Sequence, residues 1–291
     1  MLQLSSIQAL VNLVDDPDDN IYQHVRCELI KCGASALPIL ESTWETDLFG
    51  SKHHERIDKI IHEIHFEELK KELSQWLESS EKDLLKGACI VAKYDDHTID
   101  ESEIINTIQN IRRDIWLELN DNQTSFEKVK IFNKIFFNHH KFEGDKEDYF
   151  SPSNSLIDKV LHTRKGNPLS LGLIYSVIAQ SLDLPIYGVN LPNHFVLAFM
   201  DVNGIHAQNN IEDEYGVLFY INTFSQGSIF NTKEIKSFLS GLKLDHKRDF
   251  FEPCSNTAII RRMLTNLISC YDQTVKSEIV DKLIELRSIL D

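Results

Sequence analysis

The 291-residue sequence is poor in cysteine, glycine and proline, with five, eleven and seven residues of each. So few glycines and prolines exclude a collagen-like or low-complexity chain. The cysteines are scattered and form no Cys-x-x-Cys pair, which is typical of buried thiols in a reducing compartment. We therefore expect a globular, cytoplasmic protein that is large enough to fold without disulfides or metals.

Basic clusters and long apolar segments are also missing. No run of Lys and Arg exceeds a pair, and 30 basic against 45 acidic side chains give a net charge of −15. Such an acidic surface disfavours binding to nucleic acid or anionic lipid. The longest uncharged stretch, residues 166–182, is shorter than the roughly 20 residues that span a bilayer. The first residues read as an amphipathic helix and lack the features of a signal peptide. We therefore expect no nucleic-acid partner and no membrane contact.

Hydrophobic periodicity predicts helices at both ends of the chain and strands between them. Before residue 80, a helix, an Asp-Pro turn and further helices resemble a HEAT-type repeat. After Pro185, β-rich segments follow one another at hairpin-like spacing. These segments are 186–190, 195–200, 204–208 and 217–222. They predict an antiparallel sheet.

A capping box at Asn231 and Glu234 predicts the next helix, and residues 257–271 and 275–290 predict a final helical hairpin. The sequence thus predicts an α+β fold in three parts. Residues 1–80 would form a helical HEAT-like region, 81–252 a mixed domain, and 253–291 a helical extension.

The most apolar helix is predicted to begin at Asn167-Pro168-Leu169-Ser170. Asn167 suits the N-cap, and Pro168 suits the first helical position, where a missing N–H costs nothing. Apolar residues surround nearly the whole helix, which predicts a core element packed under the sheet. Ser170 in the first turn has two interpretations, a capping side chain or a nucleophile at the positive end of the helix.

A series of short motifs accompanies this helix. They are residues 83–88, 92–94, 144–149, 154–156, 164–171, 182–195, 220–224 and 253–256. Together they resemble the SirB-type branch of the transglutaminase-like superfamily. The resemblance implies a papain-like core in which the buried helix packs against an antiparallel sheet.

The resemblance also implies a set of site residues. The family's Cys, His and Asp or Asn correspond to Ser170, His194 and Asn222. An imidazole must reach the nucleophile's proton while a third group holds its tautomer, and an Asn carbonyl can do so. Two positions depart from the family pattern. Ser170 replaces the cysteine, and Asn222 replaces the carboxylate that would make His194 more basic. The resemblance further implies substrate binding by three residues: Asn154, Asn167 and Asn193.

Three functions follow as alternatives. The first is a non-catalytic or weakly active transglutaminase-like protein that binds proteins or peptides in the old catalytic cleft. The second is a Ser–His–Asn acyltransferase or an amide or ester hydrolase that uses Ser170. The third is a helical scaffold that acts through its surfaces. No cofactor is expected, because the sequence has no glycine-rich nucleotide motif.

A stripe of His54, Asp58, His62 and His65 is the strongest candidate for a metal site. Isoleucines 57, 60, 61 and 64 occupy the opposite stripe, so the histidines are predicted to face solvent. Ligands spread over three turns of one helix cannot close a tetrahedron. We therefore expect no metal ion here.

Removal of metal ions tests this expectation. Dialysis against a chelator should leave the melting temperature unchanged, because a metal bound to the folded state alone would stabilise it by mass action. Thermal melting before and after dialysis, with added zinc as the control, makes the measurement. A drop of several degrees that zinc restores would contradict the expectation.

Overall fold

The structure is a computed structural model that describes residues 4–45, 50–208, 214–272 and 277–291. The chain divides into two compact units, residues 1–75 and 76–291. In the described part, no helix is both long and apolar enough to cross a membrane.

The first unit is helical. Its helices are α1 (Leu4–Asn12), α2 (Asp19–Cys32), α3 (Leu37–Glu45) and α4 (Gly50–Glu78), of which α4 continues into the second unit. Asp18 begins α2 by accepting a hydrogen bond from the N–H of Asn20. The predicted isoleucine stripe of α4 lies in the core of this unit, with Ile57, Ile60 and Ile64 fully buried. On the predicted histidine stripe, Asp58 and His62 are exposed, whereas His54 and His65 are half-buried.

The second unit combines helices with short strands. In chain order its elements are α5 (Leu84–Ala92), α6 (Glu101–Trp116), α7 (Ser125–Asn133), a π-helical turn (Lys134–His139), β1 (Glu143–Gly144), α8 (Ile157–Thr163), β2 (Lys165–Gly166), α9 (Pro168–Gln180), β3 (Ile186–Leu191), β4 (His194–Met200), α10 (Ile205–Gln208), β5 (Val217–Asn222), β6 (Ser228–Phe230), α11 (Thr232–Gly241), α12 (Asn256–Asp272) and α13 (Ser277–Ser288). The α+β fold class is confirmed.

Strands β3 to β6 form an antiparallel sheet in sequence order, and β1 pairs with β2 in parallel. Both faces of β4 are covered, which explains its nearly continuous apolar sequence. Val196 and Ala198 share a buried cluster with Ile235 of α11. On the other face, Phe195 lies against Gly172 of α9. The predicted buried helix under the sheet is thus confirmed.

One predicted strand is wrong. Residues 205–208 form the short helix α10 instead, because the Asp201 carboxylate accepts a hydrogen bond from the N–H of Ile205 at 2.7 Å. The prediction also lacked β6, which pairs with β5 just before the confirmed capping box at Asn231. The prediction for residues 275 and 276 lies outside the described residues.

Gly172 sets the separation between α9 and the sheet. A Cβ atom there would lie 2.8 Å from two ring atoms of Phe195, which is almost fully buried. Gly172→Ala should therefore reduce the free energy of unfolding by about 1–3 kcal/mol, although alanine favours a helix by about 1 kcal/mol. Urea denaturation measures the change.

The matched control is Gly241→Ala at the end of α11, where a new Cβ has no heavy atom within 4 Å. This variant should be as stable as the native protein or up to about 1 kcal/mol more stable. A Gly172→Ala protein with native stability would contradict the close packing of α9 on β4.

Candidate functional site

The start of α9 is buried and well capped. Asn167 accepts hydrogen bonds from the N–H groups of Leu169 and Ser170, both at 2.9 Å. Pro168 occupies the first helical position, as predicted. The N–H groups of a helix start need such partners when water cannot reach them. The predicted cap at Asn167 is confirmed.

The hydroxyl of Ser170 is part of the same cap. It donates a hydrogen bond to the carbonyl of Asn154 at 2.6 Å and accepts one from the N–H of Asn167 at 3.1 Å. Its side chain is 5% exposed. A Cβ atom at Gly166 would lie 2.6 Å from this oxygen, so glycine gives the hydroxyl its space. The capping interpretation of Ser170 is therefore confirmed.

Asn154 and Asn167, two of the predicted substrate-binding residues, belong to this buried network. The Asn167 amide donates to the hydroxyl of Ser155 at 2.8 Å, and the Asn154 amide donates to the carbonyl of Asp148 at 2.7 Å. Both asparagines are almost fully buried. The Asn167 side chain thus joins the loop before α8 to the start of α9, and the Asn154 side chain bonds within that loop.

His194 and Asn222 lie together at one end of the sheet. His194 begins β4 and Asn222 ends its antiparallel neighbour β5, so the pairing places both residues at the same end of the sheet. The side chain of Asn222 is close enough to His194 to raise its pKa. The Oδ1 atom of Asn222 also accepts a hydrogen bond from the N–H of Ser225 at 3.2 Å. The next residue, Thr223, is buried, and its hydroxyl lies 3.5 Å from the carbonyl of Pro168. This contact ties the end of β5 to the start of α9.

The imidazole of His194 is held in its neutral form. Burial lowers its pKa, the polar side chain of Asn222 opposes that shift, and the nearby guanidinium of Arg262 lowers the pKa further. A neutral imidazole can accept a proton. Within the described part of the chain, however, the hydroxyl of Ser170 and the ring of His194 do not hydrogen-bond to each other.

His194 faces a cavity of about 690 Å³. The cavity is lined by Tyr149, Phe150, Pro168, Leu169, Asn190, Asn193, His194, Phe195 and six residues of α12: Ala258, Arg261, Arg262, Thr265, Asn266 and Ser269. Of the predicted site residues, His194 and Asn193 are therefore cavity residues. Helix α9 contributes Pro168 and Leu169, the two residues before Ser170.

Helix α12 supplies one wall of the cavity, which the sequence prediction did not include. Only the pair Arg261-Arg262 in an acidic chain could have indicated it. Arg262 donates hydrogen bonds to the side chain of Asn190 and to the carbonyl of Leu191, and thereby joins α12 to β3. Its pKa is lowered by burial, yet a guanidinium stays charged in proteins.

A second group of side chains has the composition of a metal site. Asp114, His139 and His140 each offer one ligand atom, and these atoms lie within 4.8 Å of one another. The Asp114 carboxylate and the Nε2 atom of His140 are 3.0 Å apart, which is hydrogen-bond distance. A direct hydrogen bond explains this pair without an ion.

Relatives of the chain are found in bacteria and in animals. A UPF0162 protein of Vibrio cholerae is 31% identical over 145 residues, which are 49% of each chain. A UPF0162 protein of Xylella fastidiosa is 27% identical over 153 residues, or 50% of each chain. The F-box only protein 21 of Homo sapiens is 29% identical over 137 residues, which are 47% of this chain and 20% of that protein. This chain thus spans about half the length of its bacterial relatives.

No solved structure matches this chain. The family model of the transglutaminase-like superfamily matches residues 102–265, which is more than half of the chain. The matched segment contains α9, the sheet, His194, Asn222 and most of the cavity wall from α12. The chain therefore belongs to the transglutaminase-like superfamily.

Proposed function

We propose that this protein binds proteins or peptides in the cavity beside His194 and does not transfer acyl groups. The state of Ser170 carries the proposal. Its hydroxyl is directed to the carbonyl of Asn154, whereas the serine of a Ser–His–Asn site gives its proton to the histidine. At the same helix start, the side chains that line the cavity beside His194 are Pro168 and Leu169, and neither is a nucleophile.

The cysteines of the second unit support the same conclusion. Burial raises the pKa of the Cys254 thiol to about 11 and that of Cys89 to about 12. Both therefore remain protonated near neutral pH, and a thiol attacks as its thiolate. Cys254 also donates a hydrogen bond to the carbonyl of Gly188. These thiols act as small buried groups.

One observation favours a Ser–His–Asn hydrolase as the second candidate. The side chain of Asn222 acts on the His194 ring, and in papain-like enzymes a polar group at this position fixes the tautomer of the histidine. For this candidate, the Ser170 hydroxyl would have to leave Asn154 and turn towards His194. The lowered pKa of His194 also makes it a weaker base.

Two finer assignments belong to this proposal. We infer membership of the SirB-type branch from the ordered motifs around Ser170 and His194. We also infer a cytoplasmic location, because all five cysteines are free thiols and a reducing compartment keeps them so. The HEAT-like character of the first unit and the scaffold function remain further proposals.

Substitution of Ser170 separates the two candidates. The native protein should not react with a fluorophosphonate and should not turn over ester or glutamine-amide substrates. Ser170→Ala should leave this unchanged and reduce the free energy of unfolding by about 1 kcal/mol, because a buried hydrogen-bonding hydroxyl is lost. Mass spectrometry of the labelled protein and urea denaturation are the measurements.

Ser176→Ala is the matched control, since Ser176 is also buried in α9 and its hydroxyl bonds only within the helix, to the carbonyl of Leu173. Hydrolysis by the native protein that is lost in Ser170→Ala and kept in Ser176→Ala would overturn the binding proposal. Labelling of Ser170 by the fluorophosphonate would do the same.

Peptide binding tests the proposal directly. Peptides selected from a random display library should bind the native protein and bind Ala258→Trp at least about tenfold more weakly, because the indole would fill part of the cavity. Fluorescence anisotropy gives the affinities. The control is Ala34→Trp, at an exposed alanine of the first unit. If every selected peptide bound Ala258→Trp as tightly as the native protein, the cavity would be excluded as the binding site.

A further inference from the structure

Arg262 is the starting point of a further inference. It projects from α12, lines the cavity and is half-buried. Moving a guanidinium out of water is costly unless an opposite charge or several hydrogen bonds compensate. The groups around Arg262 therefore decide what the cavity can hold.

The described neighbours of Arg262 do not include an ionised acid. Its hydrogen bonds, to Asn190 and Leu191, both start from Nη1 and both end on neutral oxygens. The titratable groups that act on it most are Cys254 and Tyr149. The thiol of Cys254, with its raised pKa, is neutral. Hence Arg262 is a cation without a counter-ion among the residues that the structure describes.

Three other arginines of the chain have an acidic partner. Arg261, the preceding residue, lies 3.3 Å from the carboxylate of Asp291. Arg248 lies 2.6 Å from Glu252. Arg56, in the first unit, lies 2.9 Å from Asp19. Arg262 thus lines the cavity without such an acidic partner.

The cavity itself presents no opposing charge. Among the described residues that line it, none is acidic, and the polar members besides the two arginines are neutral side chains. Nη1 of Arg262 is fixed by its two acceptors, so Nε and Nη2 remain for a ligand. Two parallel N–H groups match the two oxygens of a carboxylate. A protein or peptide carries its unmodified negative charges as carboxylates, on Asp and Glu side chains and at the chain terminus.

We propose that the cavity binds a carboxylate group of its protein or peptide ligand, and that Arg262 receives it. This inference rests on the proposed function and names the chemistry of the ligand. The carboxylate belongs either to an acidic side chain or to a chain terminus. Arg262 would then recognise the ligand through Nε and Nη2 while Nη1 keeps α12 attached to β3.

Three small probes on one scaffold separate these sources. N-acetylglutamine carries only the terminal carboxylate, the α-amide of N-acetylglutamate carries only the side-chain carboxylate, and N-acetylglutaminamide carries neither. At least one carboxylate probe should bind with a Kd on the order of millimolar and at least about tenfold more tightly than the neutral probe. The probe that binds identifies the source. The chemical shift of the His194 imidazole, assigned with a His194→Gln variant, reports binding in this cavity.

Variants of Arg262 complete the test. Arg262→Gln should weaken binding of the preferred probe at least about tenfold. Arg262→Lys should weaken it several-fold, because lysine keeps the charge but lacks the two parallel N–H groups. Arg248→Gln, an exposed arginine outside the cavity, removes the same charge and should change nothing. If Arg262→Gln fails to fold, the three probes on the native protein and Arg262→Lys still decide the question.

Several outcomes would overturn the inference. They are equal binding of all three probes, no binding of either carboxylate up to about 50 mM, and native affinity in a folded Arg262→Gln protein. The two proposals fail separately. Selected peptides that occupy the cavity without any preference for a carboxylate would overturn only this inference. Carboxylate probes that bind while selected peptides ignore the Ala258→Trp substitution would overturn only the proposed function.

Discussion

The buried start of α9 is the constraint on which the candidate site depends. The first N–H groups of a helix have no partner within the helix, and here they are also shielded from water. Asn167 accepts from two of them, and Ser170 bonds back to the N–H of Asn167 and to the carbonyl of Asn154. The cap thereby pairs the N–H groups of Asn167, Leu169 and Ser170. Because the cap holds the loop against the helix, the hydroxyl of Ser170 is committed to the fold.

The cap also determines which side chains of the helix start face the cavity. Successive residues of a helix point about 100° apart, so Ser170 can turn to the loop while Pro168 and Leu169 face the cavity. Thr223 holds the end of β5 against this turn, and the adjacent Asn222 lies beside His194. The result is a neutral imidazole beside an apolar helix start. Because Pro168 and Leu169 offer no nucleophile to a bound ligand, this arrangement supports the proposal of binding without acyl transfer.

Local signals in the sequence predicted much of this arrangement. The cap at Asn167 and Pro168, the capping box at Asn231 and three strands of the sheet follow from side chains near in sequence. The strand prediction for residues 205–208 was wrong because one hydrogen bond, from the N–H of Ile205 to the Asp201 carboxylate, outweighed their strand-like pattern. The direction of the Ser170 hydroxyl depends on the carbonyl of Asn154, sixteen positions earlier. A sequence pattern does not contain such a non-local contact, nor the presence of Arg262 beside His194.

Arg262 both holds α12 on β3 and lines the cavity. Its Nη1 atom bridges α12 and β3 through neutral acceptors, and no described carboxylate pairs with the guanidinium. The chain carries a net charge of −15, but distant surface acids are screened within about 10 Å by salt and cannot replace a contact ion. A ligand carboxylate in the cavity would supply such a contact ion. An overall acidic protein can therefore select an acidic group, since selection depends on the charge that the ligand touches.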